Sequence, residues 1–272
     1  MTISVCIPVI SGAHLRECLD SIFQNSFQDF EVIVNDSSDS PMVSDMLKGY
    51  DLKTIERRTK SFESRYLTTM ASKGEKVFIF DETRVMESTL LADVNNNKSD
   101  MIVIKERDIG KGIANFFSNL DKSNVPDDLS ILNPMRNKSV IPRVYRREII
   151  INALETVKKN LPESVLRKVV GLDLELIYLE SYNLTKNIGI VNTSKILHYG
   201  DESIRDVFRK YYRYGYTQRM MKNTFYREFA GLSGRNRSTL PIRSRIMSIP
   251  IQVLRGVPFV IGYLNGKTED DK

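Results

Sequence analysis

The chain has 272 residues, 41% of them hydrophobic and 27% charged, with a net charge of +6 and no tryptophan. That apolar content excludes a disordered chain, and the charge density, with no apolar run of about 18 residues, excludes a membrane-spanning bundle. The surplus charge sits late: residues 201–266 hold twelve Lys and Arg against four Asp and Glu, which favours an anionic partner.

The N-terminus lacks a basic leader segment, so no secretory signal is expected. Cys6 and Cys18 lie in apolar patterns and read as small core residues of a protein in the reducing cytoplasm. The run from Ile3 to Ile10 predicts a buried parallel strand. Leu15, Cys18, Leu19, Ile22 and Phe23 recur at helical spacing, with Ser11 as N-cap. Phe30 to Val34 is a second strand that ends in the polar loop Asn35 to Pro41. A third strand follows, then a helix that carries Arg65 and ends near Lys73 and Gly74. Lys76 to Phe80 is a further strand that runs straight into Asp81 and Glu82.

A short helix around Leu90 and a strand from Met101 to Ile104 continue the alternation, which predicts a doubly wound, mostly parallel α/β sheet. The segment from Leu120 to Pro142 reads as a loop. Helices are expected around Arg146–Asn160 and Asp173–Tyr182, then a strand from Ile188 to Val191. From Ser203 to Tyr216 the pattern is a basic helix studded with tyrosines. Pro241 to Leu264 mixes apolar residues with arginines and three prolines, as an interfacial segment does. The chain thus divides into residues 1–200, a catalytic and ligand-binding domain, and residues 201–272, a basic helical extension.

Ligands of such a sheet bind outside the carboxyl ends of its strands. Three of those ends carry Pro8 and Val9, Asn35 and Asp36, and Asp81 and Glu82. An Asp there accepts hydrogen bonds from a base or ribose, and a second acid holds a divalent cation against a diphosphate. No glycine-rich dinucleotide fingerprint and no P-loop is present. His14, near a helix start with no partner motif, reads as solvated or structural.

The residues of the first strand, Ile3-Ser-Val-Cys-Ile-Pro-Val, and the stretch from Leu19 to Asp39 resemble the opening of the family-2 glycosyltransferases of GT-A fold. The likeness continues in Ser64-Arg65-Tyr66, Gly74-Glu75 and Phe80-Asp81-Glu82, the last falling on the Asp-x-Asp metal motif. Pro142 to Glu148 resembles the segment before the acceptor site, and Gly171 to Leu176 resembles the Glu-Asp motif that holds the base. His198 lies where many such enzymes place a metal-binding histidine.

The resemblance implies an inverting transfer of a sugar from a nucleotide-diphospho-sugar to an acceptor hydroxyl. Asp173 is then the base, Pro8, Val9, Asp36, Arg65 and Asp81 bind the donor, and Glu82 and His198 hold Mg²⁺ or Mn²⁺. Phe80 stands in place of the first Asp, Glu82 in place of the metal-holding one, and Leu172 in place of the Glu. A register one residue later makes Asp81 the first acid and Thr83 the second. The milder change is Asn35 in the Asp-Asp pair. These departures leave open a catalytically degenerate homologue that binds a sugar nucleotide or a partner. A nucleotidyltransferase is a third reading.

The arginines interleaved with Tyr211, Tyr212, Tyr214 and Tyr216 suit an anionic membrane surface better than nucleic acid, for which no fold motif is present. The protein is accordingly expected on the cytoplasmic face of the inner membrane, beside a lipid-linked or glycan acceptor. Self-association through the apolar C-terminal segment is the alternative use of that surface.

Overall fold

The structure is a computed structural model that describes residues 2–110, 115, 119, 132–138, 140–200, 203–231 and 249–266. Eight strands form one sheet: β1 Ile3–Val9, β2 Phe30–Asp36, β3 Lys53–Glu56, β4 Lys76–Ile79, β5 Arg84–Met86, β6 Met101–Ile109, β7 Val144–Arg146 and β8 Ile188–Tyr199. Their spatial order is β3-β2-β1-β4-β7-β6-β8-β5. β1 to β4 are mutually parallel, β8 is parallel to β6, and only β5 and β7 run against their neighbours. The expected mostly parallel α/β sheet is therefore present. The two reversed strands are three residues each, too short to show an alternating pattern in the sequence.

The period of two explains why the central strands read as unbroken apolar runs. Ile3, Val5, Ile7 and Val9 of β1 enter one core layer, while Cys6 enters the layer on the opposite face. β2 divides in the same way, Val32 and Val34 against Ile33, and so does β4, Phe78 against Val77 and Ile79. The first layer is covered by helices α1 Leu15–Phe23, α2 Pro41–Leu47 and α4 Leu90–Asn96. The second is covered by α3 Ser61–Met70, α5 Arg147–Asn160, α6 Glu163–Leu166 and α7 Asp173–Leu184. Both cysteines are buried and free, as the sequence suggested.

Three local readings change, the cap of α1 and the ends of β6 and β8. α1 is preceded by His14 and has no side-chain cap; the Ser11 hydroxyl is turned to Glu82 instead. β6 and β8 run on to Ile109 and Tyr199, because they pair with each other past a register shift at Ile104/Lys105. Of the expected loop, residues 120–131 and 139 lie outside the described residues, and so do residues 241–248 of the interfacial segment.

The region after residue 200 also joins the core. α8 Ile204–Met220, a 3₁₀ turn Met221–Asn223 and α9 Arg227–Gly231 deliver Met220, Met221, Tyr226, Phe229 and Ala230 to the second layer. Buried Lys138 donates from Nζ to the carbonyls of Phe229 at 2.7 Å and Ala230 at 3.2 Å. The final helix, α10 Ile249–Asn265, packs along α8.

Candidate active site

The carboxyl ends of β1 and β2 lie side by side, with Pro8 opposite Asn35 and Val9 opposite Asp36. Asp36 closes an Asx turn: its Oδ1 accepts from the Ser38 N–H at 2.9 Å and the Ser38 hydroxyl at 2.6 Å. Asn35 is buried, and its amide nitrogen donates to the carbonyls of Ile55 and Arg57, each at 2.9 Å. An aspartate has no hydrogen to give those carbonyls, so the change from Asp-Asp is explained by the end of β3.

Glu82 does not stand open to a cation. Its Oε2 accepts from the N–H groups of Ile10 (3.2 Å) and Gly12 (2.8 Å), and its Oε1 accepts from the Ser11 N–H and hydroxyl, both at 3.0 Å. Those four donors match the four lone-pair positions of a carboxylate. Glu82 thus shapes the β1–α1 loop, where Gly12 has φ +72°. For the expected role as metal ligand, a cation would have to displace hydrogen bonds that fold the loop.

Phe80 is fully buried against Phe78, with ring centroids 5.1 Å apart. The strand alternation sends it to the core and Asp81 to the opposite side, an arrangement compatible with the later of the two registers. In that register the second position is Thr83, whose carbonyl accepts from the Tyr199 N–H at 2.8 Å.

Asp81 meets three arginines. Arg65 Nη2 lies 2.8 Å from its Oδ1, Arg84 Nη1 pairs closely with its Oδ2, and Arg143 Nη1 is 3.9 Å away. Arg65 also reaches Asp173 Oδ2 with Nη1 at 3.3 Å. Glu106 completes the group, 2.7 Å from Arg143 Nε and 3.5 Å from Arg84 Nε. Three buried cations and three carboxylates therefore form one neutral cluster, drawn from α3, the end of β4, β5, β6, the start of β7 and the first turn of α7. Burial lowers the Arg65 and Arg84 pKa values, Arg84 to about 10, where repulsion from Arg143 adds to the effect.

Several buried polar atoms in this cluster have no hydrogen-bond partner: Nε of Arg65 and Arg84, Nη1 of Arg143, Oδ2 of Asp173 and Oε2 of the adjacent Glu175. Natural cores leave few such atoms, so several together mark this cluster as a candidate site for a polar ligand. Glu175 is pushed up to about 8, first by burial and then by the negative charge of Asp173. Leu172, which occupies the Glu position before Asp173, is itself part of the core.

His198 lies at the end of β8 and pairs with Arg84 across β5. Its Nδ1 is 2.7 Å from Oδ1 of the buried Asp108. His14 stacks on Tyr199, with centroids 3.8 Å apart and planes 4° from parallel, and so brings the β1–α1 loop to the end of β8.

The metal expected from Glu82 and His198 does not fit this arrangement. Among the described residues no three His, Cys, Asp or Glu side chains gather as a cation site. Asp81 is already matched by arginines and Glu82 by backbone donors. Arg84, Glu106, Arg143 and Glu175 were not anticipated. Their only trace in the sequence is a charge inside or beside a run of strand or helix character.

No protein-family model and no curated protein matches the sequence. Solved structures do. S. aureus TarS 1–349 superposes with a TM-score of 0.57 at 16% identity, over 97% of this chain and 81% of that one. The same TarS fragment in complex with UDP-GlcNAc gives 0.56 at 16% identity, over 97% and 89%. The mannosyltransferase PcManGT from Pyrobaculum calidifontis, in complex with GDP-Man and Mn²⁺, gives 0.57 at 12% identity, over 97% and 76%. The chain has a glycosyltransferase fold. That fold places the strand ends described above at the position where α/β sheets bind nucleotides.

Proposed function

We propose that this protein moves a sugar from a nucleotide-diphospho-sugar to an acceptor hydroxyl, with inversion at the anomeric carbon. The observation that carries the proposal is Arg65, which joins Asp81 at the end of β4 to Asp173 at the start of α7. The two carboxylates are distant in sequence and meet at the ligand-binding edge of a fold whose solved examples hold UDP-GlcNAc and GDP-Man.

In the reaction the acceptor oxygen attacks the anomeric carbon, and Asp173 takes the hydroxyl proton. The bond from that carbon to the diphosphate oxygen breaks, and the nucleoside diphosphate leaves with the electron pair. Arg65, Arg84 and Arg143 supply positive charge and unpartnered N–H donors to the growing anion, in a dry site where such donors act strongly. Asp36, beside Pro8 and Val9, receives the nucleoside. No step is assigned to a divalent cation, because the described residues do not form a site for one. The basic C-terminal region supports a lipid-linked or polysaccharide acceptor and a place on the cytoplasmic membrane face.

One observation favours a second reading. Arg65 holds the Asp173 carboxylate in an ion pair, Nη1 lying 3.3 Å from Oδ2, as in a homologue that binds sugar nucleotides without transfer. Release of nucleoside diphosphate from UDP- and GDP-sugars, measured with a chelator present, separates the two. Slow release by the native chain is expected. Asp173→Asn is expected to cut it by about a hundredfold or more while donor binding survives. Unchanged release by that variant removes Asp173 from the role of base. Binding without any release supports the second reading, and release of pyrophosphate indicates nucleotidyl transfer.

A further inference from the structure

α10 has 17 residues and one charged side chain, Arg255. That arginine is turned inward, over the ring of Tyr211 on α8 at 5.3 Å. Arg219 of α8 lies over the ring of Tyr263 at 5.7 Å, and Gly215 of α8 faces the backbone of Phe259. The pairs 211 with 255, 215 with 259 and 219 with 263 advance together, so the two helices run side by side in the same direction.

Glycines set how close they come. A Cβ on Gly215 would lie 1.9 Å from the Phe259 carbonyl oxygen, and one on Gly262 would lie 2.0 Å from that of Tyr212. Ile251, Pro258 and Gly262 form the buried side of α10. The other side carries Ile249, Val253, Val257, Val260 and Leu264, exposed by 52%, 59%, 52%, 54% and 75%. At 3.6 residues per turn these five fall within an arc of about 80°. Ile204 and Phe208, at the start of α8, are exposed as well.

The neighbouring charge indicates what covers this face. α8 carries Arg205, Arg209, Lys210, Arg213 and Arg219 against a single acid, Asp206. Arg205, Arg209 and Arg213 are exposed and recur every fourth residue along one ridge. A second copy of these two helices offers a single acid, Asp206, against those arginines. An anionic bilayer surface instead offers hydrocarbon to the valines and phosphate to the arginines. No described helix is long and apolar enough to cross a membrane.

We infer that the exposed face of α10 lies in the interface of an anionic membrane, with the α8 arginines on the headgroups. The inference rests on the proposed transfer to a membrane acceptor and specifies the surface that meets the bilayer. α8 ties that surface to the site: the Thr217 hydroxyl accepts from the Val170 N–H at 3.3 Å, and the Tyr214 ring packs on Gly171, two residues before Asp173.

The test is flotation of the full chain with phosphatidylcholine vesicles, with and without phosphatidylglycerol. The native protein is expected to float with the anionic vesicles and to be released by salt. Val257→Asp with Val260→Asp should weaken flotation by about tenfold or more. Arg205→Gln with Arg209→Gln and Arg213→Gln should weaken it only for anionic vesicles. All three proteins should melt alike and bind donor alike, since the changed side chains are exposed. Equal flotation of native and double-Asp proteins overturns the inference. So does failure of the native chain to float, or a soluble dimer that the double-Asp change dissolves. Failure of the sugar-transfer reading has a different signature: no donor binding or diphosphate release by any of the three, with flotation intact.

Discussion

At the scale of single residues, surroundings decide what each carboxylate does. Glu82 is filled by the donors of the β1–α1 loop, whereas Glu175 is half-buried beside Asp173 with a buried, unpartnered Oε2. Glu175 therefore holds its proton near neutral pH, where an unfolded chain gives it up. The folded state binds more protons between the ordinary value near 4.5 and about 8, so its contribution to stability declines as pH rises through that window. Urea unfolding at pH 5 and pH 8 should show this decline, and Glu175→Gln should flatten it. A native-like slope in the variant would remove Glu175 as its source. Asp36, Asp81 and Asp173 were legible in the sequence because each punctuates the end or start of an apolar element. Arg84, Glu106 and Arg143 were not, because their significance lies in pairing across β5, β6 and β7, which no local spacing records.

At the scale of elements, continuous apolar runs identified β1, β2 and β4, since both faces of each are covered. The three-residue strands β5 and β7 passed unnoticed, although they carry Arg84 and adjoin Arg143. The C-terminal helices show a second limit: the sequence of α10 indicates an apolar segment, but not that glycines seat it on α8. Gly262→Ala places a methyl group against the Tyr212 backbone and is expected to destabilise the chain by about 1–3 kcal/mol. Gly256 meets nothing within 4 Å of an added Cβ. Gly256→Ala should accordingly be neutral or stabilise by up to about 1 kcal/mol through helix propensity. Urea denaturation of the pair decides: equal midpoints would mean that the close approach of the helices is not needed for stability.

For the whole molecule, the change in composition after residue 200 marks a change of surface more than an end to the core. Tyr226 donates to Glu180 at 2.7 Å, and Met221, Phe229 and Ala230 pack with α5 and α7. A chain stopped at residue 200 strips the second layer of these groups and leaves Lys138 without its carbonyl partners. Loss of cooperative thermal unfolding is expected for it, by removal of several buried side chains at about 1.5–3 kcal/mol each. A chain stopped at residue 231 retains them and should unfold cooperatively. If the shorter chain melts like the longer one, the C-terminal part of the second layer is dispensable.

Gly171 has φ +81°, and an added Cβ there would fall 2.1 Å from a ring carbon of Tyr214. Backbone and neighbour thus both demand a bare α-carbon at one spot. In lineages descended from such a chain, a side chain at 171 should be found only as Asn or Asp, which tolerate that backbone, and only with a smaller residue at 214. The two sites would then drift as a linked pair, an evolutionary trace of the turn that carries Asp173 being pinned to its flanking helix.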